Sequence, residues 1–143
     1  MNLSPMLKPA FTWPIQIYWE DTDAGGVVYH SNYLKFFERA RSEWLRSRGV
    51  VQTELAQQHH VVFVLRSVQL QYLRPAHMDD TCVAWLGPKK LGRASLSVVQ
   101  ELRREQAVLC RAEVELACVR CEVFTPTAIP PYLYELLARE QST

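Results

Sequence analysis

The sequence lacks an excess of charge of either sign, and this absence argues against polyanionic partners. Its 143 residues include 16 Lys and Arg against 15 Asp and Glu, so the formal net charge is +1. The basic residues are scattered along the chain, whereas a protein that binds nucleic acid concentrates them on one face. We therefore expect no nucleic-acid partner and no anionic membrane surface.

Long hydrophobic runs are also missing. No run approaches the roughly 20 residues that a helix needs to cross a bilayer. Residues 1–13 contain prolines and a lysine but no apolar segment typical of a secretion signal. We expect no integral membrane segment and a cytoplasmic location, with free thiols at the four cysteines, which are Cys82, Cys110, Cys118 and Cys121.

Glycine is scarce, and its arrangement excludes two familiar catalytic motifs. Two of the five glycines, Gly25 and Gly26, are adjacent, and the others are isolated. Neither the G-x-S-x-G turn of serine hydrolases nor a glycine-rich nucleotide-binding pattern is present. The glycine pair instead follows two carboxylates, Asp21 and Asp23, and allows an unusual backbone bend at that point.

One long amphipathic helix is predicted directly after this bend. Ser31 or Asn32 is a suitable N-cap residue, and Gly49 is a suitable residue to end the helix. Apolar side chains recur between them at the spacing of one helix face, namely Tyr33, Phe36, Phe37, Ala40 and Trp44. We expect this face to pack on a sheet. A second short helical piece is predicted over Val51–Gln58, and a terminal helix over Tyr132–Arg139.

Alternating apolar residues predict five strands. The first is predicted over Ile15–Glu20, with Trp19 on the same side as Ile15 and Ile17. From Val61 the chain reads as a β-meander, with turns at Gly87-Pro88 and at Glu105-Gln106. Three sets of residues are each expected to share a face, namely Val62, Val64, Val68, Leu70 and Tyr72; Ala94, Leu96, Val98 and Leu102; and Val108, Cys110, Ala112, Val114, Leu116 and Cys118.

The order of these elements indicates an α+β protein with a five-stranded antiparallel sheet, because the strands cluster instead of alternating with helices. A length of 143 residues suits one domain, which we expect to span residues 1–143. One long helix covers one face of the sheet only. We therefore expect a homo-oligomer to cover the rest.

The Asp21-Thr22-Asp23 segment allows several interpretations. A calcium loop is excluded because Gly25 and Asn32 stand where oxygen ligands are needed. An aspartyl phosphotransferase is excluded because such a carboxylate follows a buried parallel strand, whereas Ile15–Glu20 alternates. Two interpretations remain: carboxylates that stabilise a turn, or a carboxylate that faces a carbonyl beside a helix N-terminus.

The second interpretation assigns chemistry to the start of the helix. Asp23 would be a nucleophile or a general base for water, and His30 would position water or shuttle a proton. Gly25 and Gly26 would bend the chain, while free backbone N–H groups in the first helical turn, around Tyr29 to Tyr33, would bind a developing oxyanion.

The remaining cysteines and histidines give weaker signals. Cys118 and Cys121 form a lone C-x-x-C pair, but strand residues three apart point to opposite faces. No second pair completes a zinc site, so we expect structural thiols and no metal. His59, His60 and His77 lack acidic neighbours at ligand spacing and are interpreted as surface residues.

The segment Glu20–Arg41, E-D-T-D-A-G-G-V-V-Y-H-S-N-Y-L-K-F-F-E-R-A-R, closely resembles the signature of the 4-hydroxybenzoyl-CoA thioesterase-like family. It is most similar to the Tol-Pal-associated acyl-CoA thioesterases. Downstream, Tyr72-Leu73-Arg74-Pro75-Ala76 ahead of Asp79-Asp80 also resembles this family. The similarity runs from about Ile15 to Phe124.

This resemblance implies a hotdog fold, in which a five-stranded antiparallel sheet wraps around one long central helix. It also implies a homodimer or homotetramer with sites between subunits. The family's catalytic carboxylate corresponds to Asp23, and its carbonyl-polarising backbone amide corresponds to His30. Gly26, Tyr29 and Ser31 are then the candidate substrate-binding residues.

Together these observations predict a hydrolase that cleaves an acyl-CoA thioester, with a short-chain or aromatic acyl group, to free acid and CoA without cofactor or metal. The alternatives are a non-catalytic module that binds acyl-CoA or acyl carrier protein during envelope or phospholipid assembly, and a hydratase or dehydratase on the same fold. Acyl carrier protein is also a possible carrier of the substrate.

Overall fold

The computed structural model describes residues 9–141 and confirms the α+β class. One strand is followed by two helices, four strands and a terminal helix. The strands are β1 Phe11–Gln16, β2 Val61–Tyr72, β3 Thr81–Leu91, β4 Ser95–Arg104 and β5 Ala107–Arg120, and the helices are α1 Asn32–Ser47, α2 Gln52–His59 and α3 Pro131–Gln141. Among these residues, no helix has both the length and the apolar character to cross a membrane.

The strands form one antiparallel sheet in the order β1-β3-β4-β5-β2, which confirms the prediction of five antiparallel strands. β3, β4 and β5 follow one another as a meander. β1 and β2 lie at opposite edges, so the connection that contains α1 and α2 passes from one edge of the sheet to the other. This topology places α1 across one face of the sheet.

The predicted apolar stripe of α1 forms the centre of the core. Tyr33, Phe36, Phe37, Ala40 and Trp44 are all buried, and they pack with the inward residues of the sheet. Burying each large apolar side chain contributes about 1.5–3 kcal/mol relative to leaving it exposed. The helix ends just before Gly49, which adopts a left-handed backbone conformation with φ of +82°. This agrees with the prediction that Gly49 ends the helix.

The first strand differs from its prediction at both ends. β1 covers Phe11–Gln16, whereas Ile15–Glu20 was expected. The carboxylate of Asp21 accepts a hydrogen bond from the backbone N–H of Tyr18 and closes a short 3-10 helix over Trp19–Asp21. Side-chain bonds of this kind compete with strand pairing. Trp19 is consequently 81% exposed and does not share the buried side of Ile15 and Ile17.

The predicted inner face of β2 is wrong in its first half, because the strand contains a bulge. Leu65 lies opposite Leu116 and Ser67 lies opposite Glu115, so Arg66 has no residue opposite it in the register of β2 with β5, although its guanidinium forms an ion pair with Glu115 at 3.3 Å. One extra residue reverses which face the earlier side chains occupy. Phe63 and Leu65 therefore share the face of Val68, Leu70 and Tyr72, and the prediction for Val62 and Val64 is wrong.

Two further corrections concern β3 and β5. The predicted turn at Gly87-Pro88 is wrong, because both residues pair with β4. Leu86 is the last β3 residue with a partner on β1, so the missing N–H of Pro88 falls where β3 has only one neighbouring strand. In β5 an irregularity leaves Leu109 without a β4 partner, and Leu109 is buried in the core where Val108 was expected.

Candidate active site

A tight turn holds the carboxylate of Asp23 at the surface. The backbone N–H of Asp23 donates to the carbonyl of Val27 at 2.9 Å, and that of Gly26 donates to the carbonyl of Asp23 at 3.0 Å. Gly26 has φ +78°, a conformation that favours glycine. Asp23 Oδ1 accepts a hydrogen bond from the N–H of Gly25 at 2.8 Å. Its Oδ2 accepts none from residues 9–141, so one carboxylate oxygen is available.

Asp21 has a different role, although it lies only two residues away. Its side chain is buried, and Oδ2 accepts a hydrogen bond from Tyr18 N–H at 2.9 Å. Its backbone carbonyl accepts the N–H of Tyr29 and the side-chain amide of Asn32, each at 2.9 Å. Asp21 therefore joins the 3-10 helix to the start of α1. Its carboxylate is buried and already accepts a backbone hydrogen bond, so its role is structural.

At the start of α1, two backbone donors have no acceptor among residues 9–141. Ser31 occupies the predicted N-cap position, but its hydroxyl makes no capping hydrogen bond and its backbone is already helical. The N–H of Asn32 donates to the carbonyl of Tyr29 at 2.9 Å. Within the described part of the chain, neither His30 N–H nor Ser31 N–H donates to another residue. Such free donors carry the positive end of the helix dipole.

A cavity of about 380 Å³ brings three of the predicted site residues together, namely Asp23, Tyr29 and His30. Gly26 and Ser31 do not line this cavity. Gly26 instead belongs to the turn that follows Asp23, and Ser31 contributes a free N–H at the start of α1. The other residues of the cavity wall are Val27, Val28, Tyr33, Tyr72, Leu73, Arg74 and Pro75.

The residues that sequence reasoning missed come from the end of β2. Tyr72, Arg74 and Pro75 belong to the second stretch that carries the family resemblance, but that stretch was not assigned to the site. The hydroxyl of Tyr72 donates to the carbonyl of His30 at 3.0 Å. Burial raises the pKa of Tyr72, so the hydroxyl keeps its proton in neutral solution.

The loop after β2 supports the floor of the cavity. Val28 N–H donates to the carbonyl of Ala76 at 2.8 Å, and Ala76 N–H donates to the hydroxyl of Tyr33 at 3.2 Å. Asp80 closes this loop by accepting hydrogen bonds from His77 N–H and from Arg104. Burial alone would raise the pKa of Asp80, but these bonds outweigh it and hold the pKa below its ordinary value.

The cysteines lie away from the cavity wall. Burial raises the pKa of Cys82 to about 11 and that of Cys110 to about 12, so both thiols are protonated at neutral pH. Cys118 is buried and Cys121 is half-buried, and all four cysteines are free. Across residues 9–141, no three His, Cys, Asp or Glu side chains are grouped closely enough to hold a metal ion.

Comparison with known proteins assigns this chain to a family. The family model for the thioesterase superfamily matches residues 25–111, more than half of the chain. The chain belongs to the thioesterase superfamily. The matched range includes His30 and begins two residues after Asp23.

Curated relatives in this superfamily match most of the chain. The Acyl-CoA thioesterase YbgC of Haemophilus influenzae is 38% identical over 125 residues, which are 87% of this chain and 92% of the relative. The Acyl-CoA thioester hydrolase YbgC of Escherichia coli O157:H7 is 40% identical over 121 residues, 84% of this chain and 90% of the relative.

A solved structure gives the same result for the fold. The crystal structure of a "Probable Thioesterase" from Bartonella henselae has a TM-score of 0.80 and 34% identity, covering 84% of this chain and 98% of that one. The predicted thioesterase family and hotdog fold are thereby confirmed. Membership of the Tol-Pal-associated branch stays a prediction.

For this thioesterase, we expect Gly26→Ala to lower turnover more than its effect on stability explains. A non-glycine residue at φ +78° is strained by about 1–2 kcal/mol, and the strain falls on the turn that carries Asp23. Displacing a reacting group by 1 Å costs up to about 100-fold in rate, so we expect kcat to fall roughly tenfold. Steady-state kinetics and urea unfolding measure the two effects.

Gly49→Ala is the matched control for backbone strain. Gly49 has φ +82°, and neither glycine has an atom within 4 Å of an added Cβ. Both variants should therefore lose similar stability, whereas only Gly26→Ala should lose turnover. Equal turnover in the two variants would show that the turn does not position the carboxylate.

Proposed function

We propose that this chain hydrolyses an acyl-CoA thioester to a free acid and CoA. The observation that carries this proposal is the shared cavity of Asp23 and His30, beside backbone N–H groups that have no acceptor among residues 9–141. Acyl transfer from a thioester needs a nucleophile or a general base and a site that binds the oxyanion, and a carboxylate beside free N–H groups can supply both. The two YbgC relatives support acyl-CoA as the substrate class.

The proposed chemistry divides between the turn and the helix. Asp23 Oδ2 attacks the thioester carbonyl carbon, or removes a proton from the water that attacks it. The N–H groups of His30 and Ser31 stabilise the negative charge that forms on the carbonyl oxygen. The tetrahedral intermediate collapses and CoA leaves as a thiolate, which requires little help from an acid because a cysteine-like thiol has a pKa of only about 8.5. Where Asp23 is the nucleophile, water then hydrolyses the acyl–Asp23 anhydride, which releases the free acid and restores the carboxylate.

His30 assists through its side chain. The imidazole is exposed beside the ring of Tyr29, with ring centroids 4.4 Å apart. An imidazole at this place can accept a proton from the attacking water and then, as an imidazolium, return that proton to the departing sulfur. Its position on the cavity wall gives it access to the same carbonyl as Asp23.

The cavity favours a short or aromatic acyl group. Tyr29, Tyr33 and Tyr72 supply aromatic surface, and the volume of about 380 Å³ lies at the small end of ligand sites. Aromatic rings pack against such walls in offset or edge-to-face geometry. Gly26 and Ser31 contribute through the backbone, the first by shaping the turn and the second by donating its N–H.

The active protein is proposed to be a homodimer or a pair of homodimers. β2 is a 12-residue strand at one edge of the sheet, and no strand within residues 9–141 pairs with its outer side. Such edges pair readily with a second copy. Exposed Leu65 and Tyr72 lie on this strand, and Tyr72 is also in the cavity wall. A cytoplasmic location accords with the four free cysteines.

Thiol release from a panel of thioesters tests this function. Short-chain, long-chain and aromatic acyl-CoAs are mixed with the protein, and free CoA is measured with a thiol reagent. We expect turnover that is fastest with short or aromatic acyl groups. Tight binding of these thioesters without release of CoA would contradict hydrolysis and favour the non-catalytic module, and acyl carrier protein thioesters test the other carrier.

A further inference from the structure

The hydroxyl of Tyr72 reaches the start of α1 from the far end of β2. Tyr72 is the last residue of β2, and its Oη donates to the backbone carbonyl of His30 at 3.0 Å across 42 positions of sequence. The ring meets Tyr33 edge-to-face, with centroids 5.5 Å apart. Because the side chain is 51% exposed, its contribution to the core is small.

No other described residue donates to the carbonyl of His30. In a regular helix this carbonyl would accept the N–H of Leu34, but Leu34 N–H donates to Ser31 instead, at 3.2 Å. The carbonyl of Tyr29 is held in turn by the N–H of Asn32 at 2.9 Å. The two peptide units that flank the α-carbon of His30 are therefore each fixed by one hydrogen bond.

The geometry of the peptide unit connects Tyr72 to the free donors. A peptide is planar and trans, so its C=O and N–H point in opposite directions. When Tyr72 fixes the carbonyl of His30, it also fixes the direction of Ser31 N–H, which belongs to the same peptide. A hydrogen bond accepted by the carbonyl polarises that peptide and strengthens its N–H as a donor.

We propose that Tyr72 is a positioning residue for thioester hydrolysis, whose hydroxyl orients the His30–Ser31 peptide so that its N–H, together with that of His30, binds the oxyanion. This inference rests on the proposed function of the same site. Tyr72 acts through the backbone of His30 and forms no bond with the reacting atoms. Loss of the hydroxyl alone, with the ring retained in the cavity wall, should therefore affect the transition state and leave binding of the substrate nearly unchanged.

Tyr72→Phe tests the inference, because it removes one hydroxyl and keeps the ring. We expect kcat to fall roughly tenfold, less than the 100-fold or more lost with a direct oxyanion donor, while KM changes less than about twofold. Tyr134→Phe is the matched control, since Tyr134 is a partly exposed tyrosine on α3 and lies outside the cavity wall. Its kcat should equal that of the unmodified protein.

Two readouts separate positioning from a general structural effect. The backbone amide signal of Ser31 in NMR spectra should shift in Tyr72→Phe and stay in place in Tyr134→Phe, with no substrate present. Introducing 3-fluorotyrosine at position 72 retains a hydroxyl donor and should restore kcat. Thermal unfolding midpoints of all variants should agree closely.

The possible results lead to different conclusions. A Tyr72→Phe variant with unchanged kcat, or with a raised KM and unchanged kcat, overturns the role of Tyr72. If Asp23→Asn retains activity, the proposed mechanism fails. In that case the Ser31 amide shift still decides whether Tyr72 orients this peptide.

Discussion

Replacing Asp23 with asparagine should reduce kcat for acyl-CoA hydrolysis by about 1,000-fold, within the range that general bases contribute. The asparagine carbonyl can still accept the hydrogen bond that Gly25 N–H gives to Oδ1, so the turn is retained. An amide in place of Oδ2 can neither take a proton from water nor attack a carbonyl. CoA release under saturating substrate measures the loss, and circular dichroism verifies the fold.

Asp79→Asn is the control for this change. Asp79 is exposed, lies outside the cavity wall and has φ +70°, a conformation that asparagine adopts readily. It removes the same charge without touching the proposed chemistry, so its turnover should match the unmodified protein. Near-normal turnover by Asp23→Asn would mean that another group activates the nucleophile.

The helices were predictable because their signals are local. The stripe from Tyr33 to Trp44 repeats with the period of a helix, and Gly49 supplies the left-handed residue that follows it. Both signals lie within one continuous segment of the chain and need no information about distant residues. The core face of α1 could therefore be named from the sequence alone.

The strands were less predictable because their pairing is not local. Alternation reveals two faces, but a bulge changes which residues share a face, and no residue type marks a bulge reliably. Arg66 interrupts the apolar pattern of β2 because it is the extra residue of the bulge, and only the register of β2 with β5 shows this. The predicted end of β1 is wrong for a related reason. The Asp21 carboxylate accepts a hydrogen bond from the N–H of Tyr18, which the alternating pattern had placed in a strand.

Only the part of the candidate site that precedes and begins α1 was predictable from the sequence. Asp23, Tyr29 and His30 occur within one short segment, and the family resemblance and the chemistry of the turn both point to it. Tyr72 and Arg74 lie more than 40 residues further along the chain. They reach the site because β2 runs along the edge of the sheet and ends beside the start of α1. Their place in the site depends on tertiary structure, which spacing along the chain does not encode.

Trp44→Ala should destabilise the protein more than Gly26→Ala or Tyr72→Phe does. Trp44 is 1% exposed in the middle of the core, and its indole N–H donates to Glu140 Oε1 at 3.3 Å, which connects α1 to α3. Truncating a buried tryptophan costs roughly 3–5 kcal/mol because a cavity remains. Urea unfolding followed by circular dichroism measures this loss as a lower midpoint.

Trp19→Ala is the matched control, since the same side chain is deleted at a position that is 81% exposed. It should change the free energy of unfolding by less than about 0.5 kcal/mol. Trp44→Phe should fall between the two, because it keeps most of the buried volume and loses the hydrogen bond to Glu140. If Trp44→Ala and Trp19→Ala unfold at the same urea concentration, packing on the sheet does not anchor α1. The position of the donors at its N-terminus would then depend on the local hydrogen bonds from Asn32 and Tyr72.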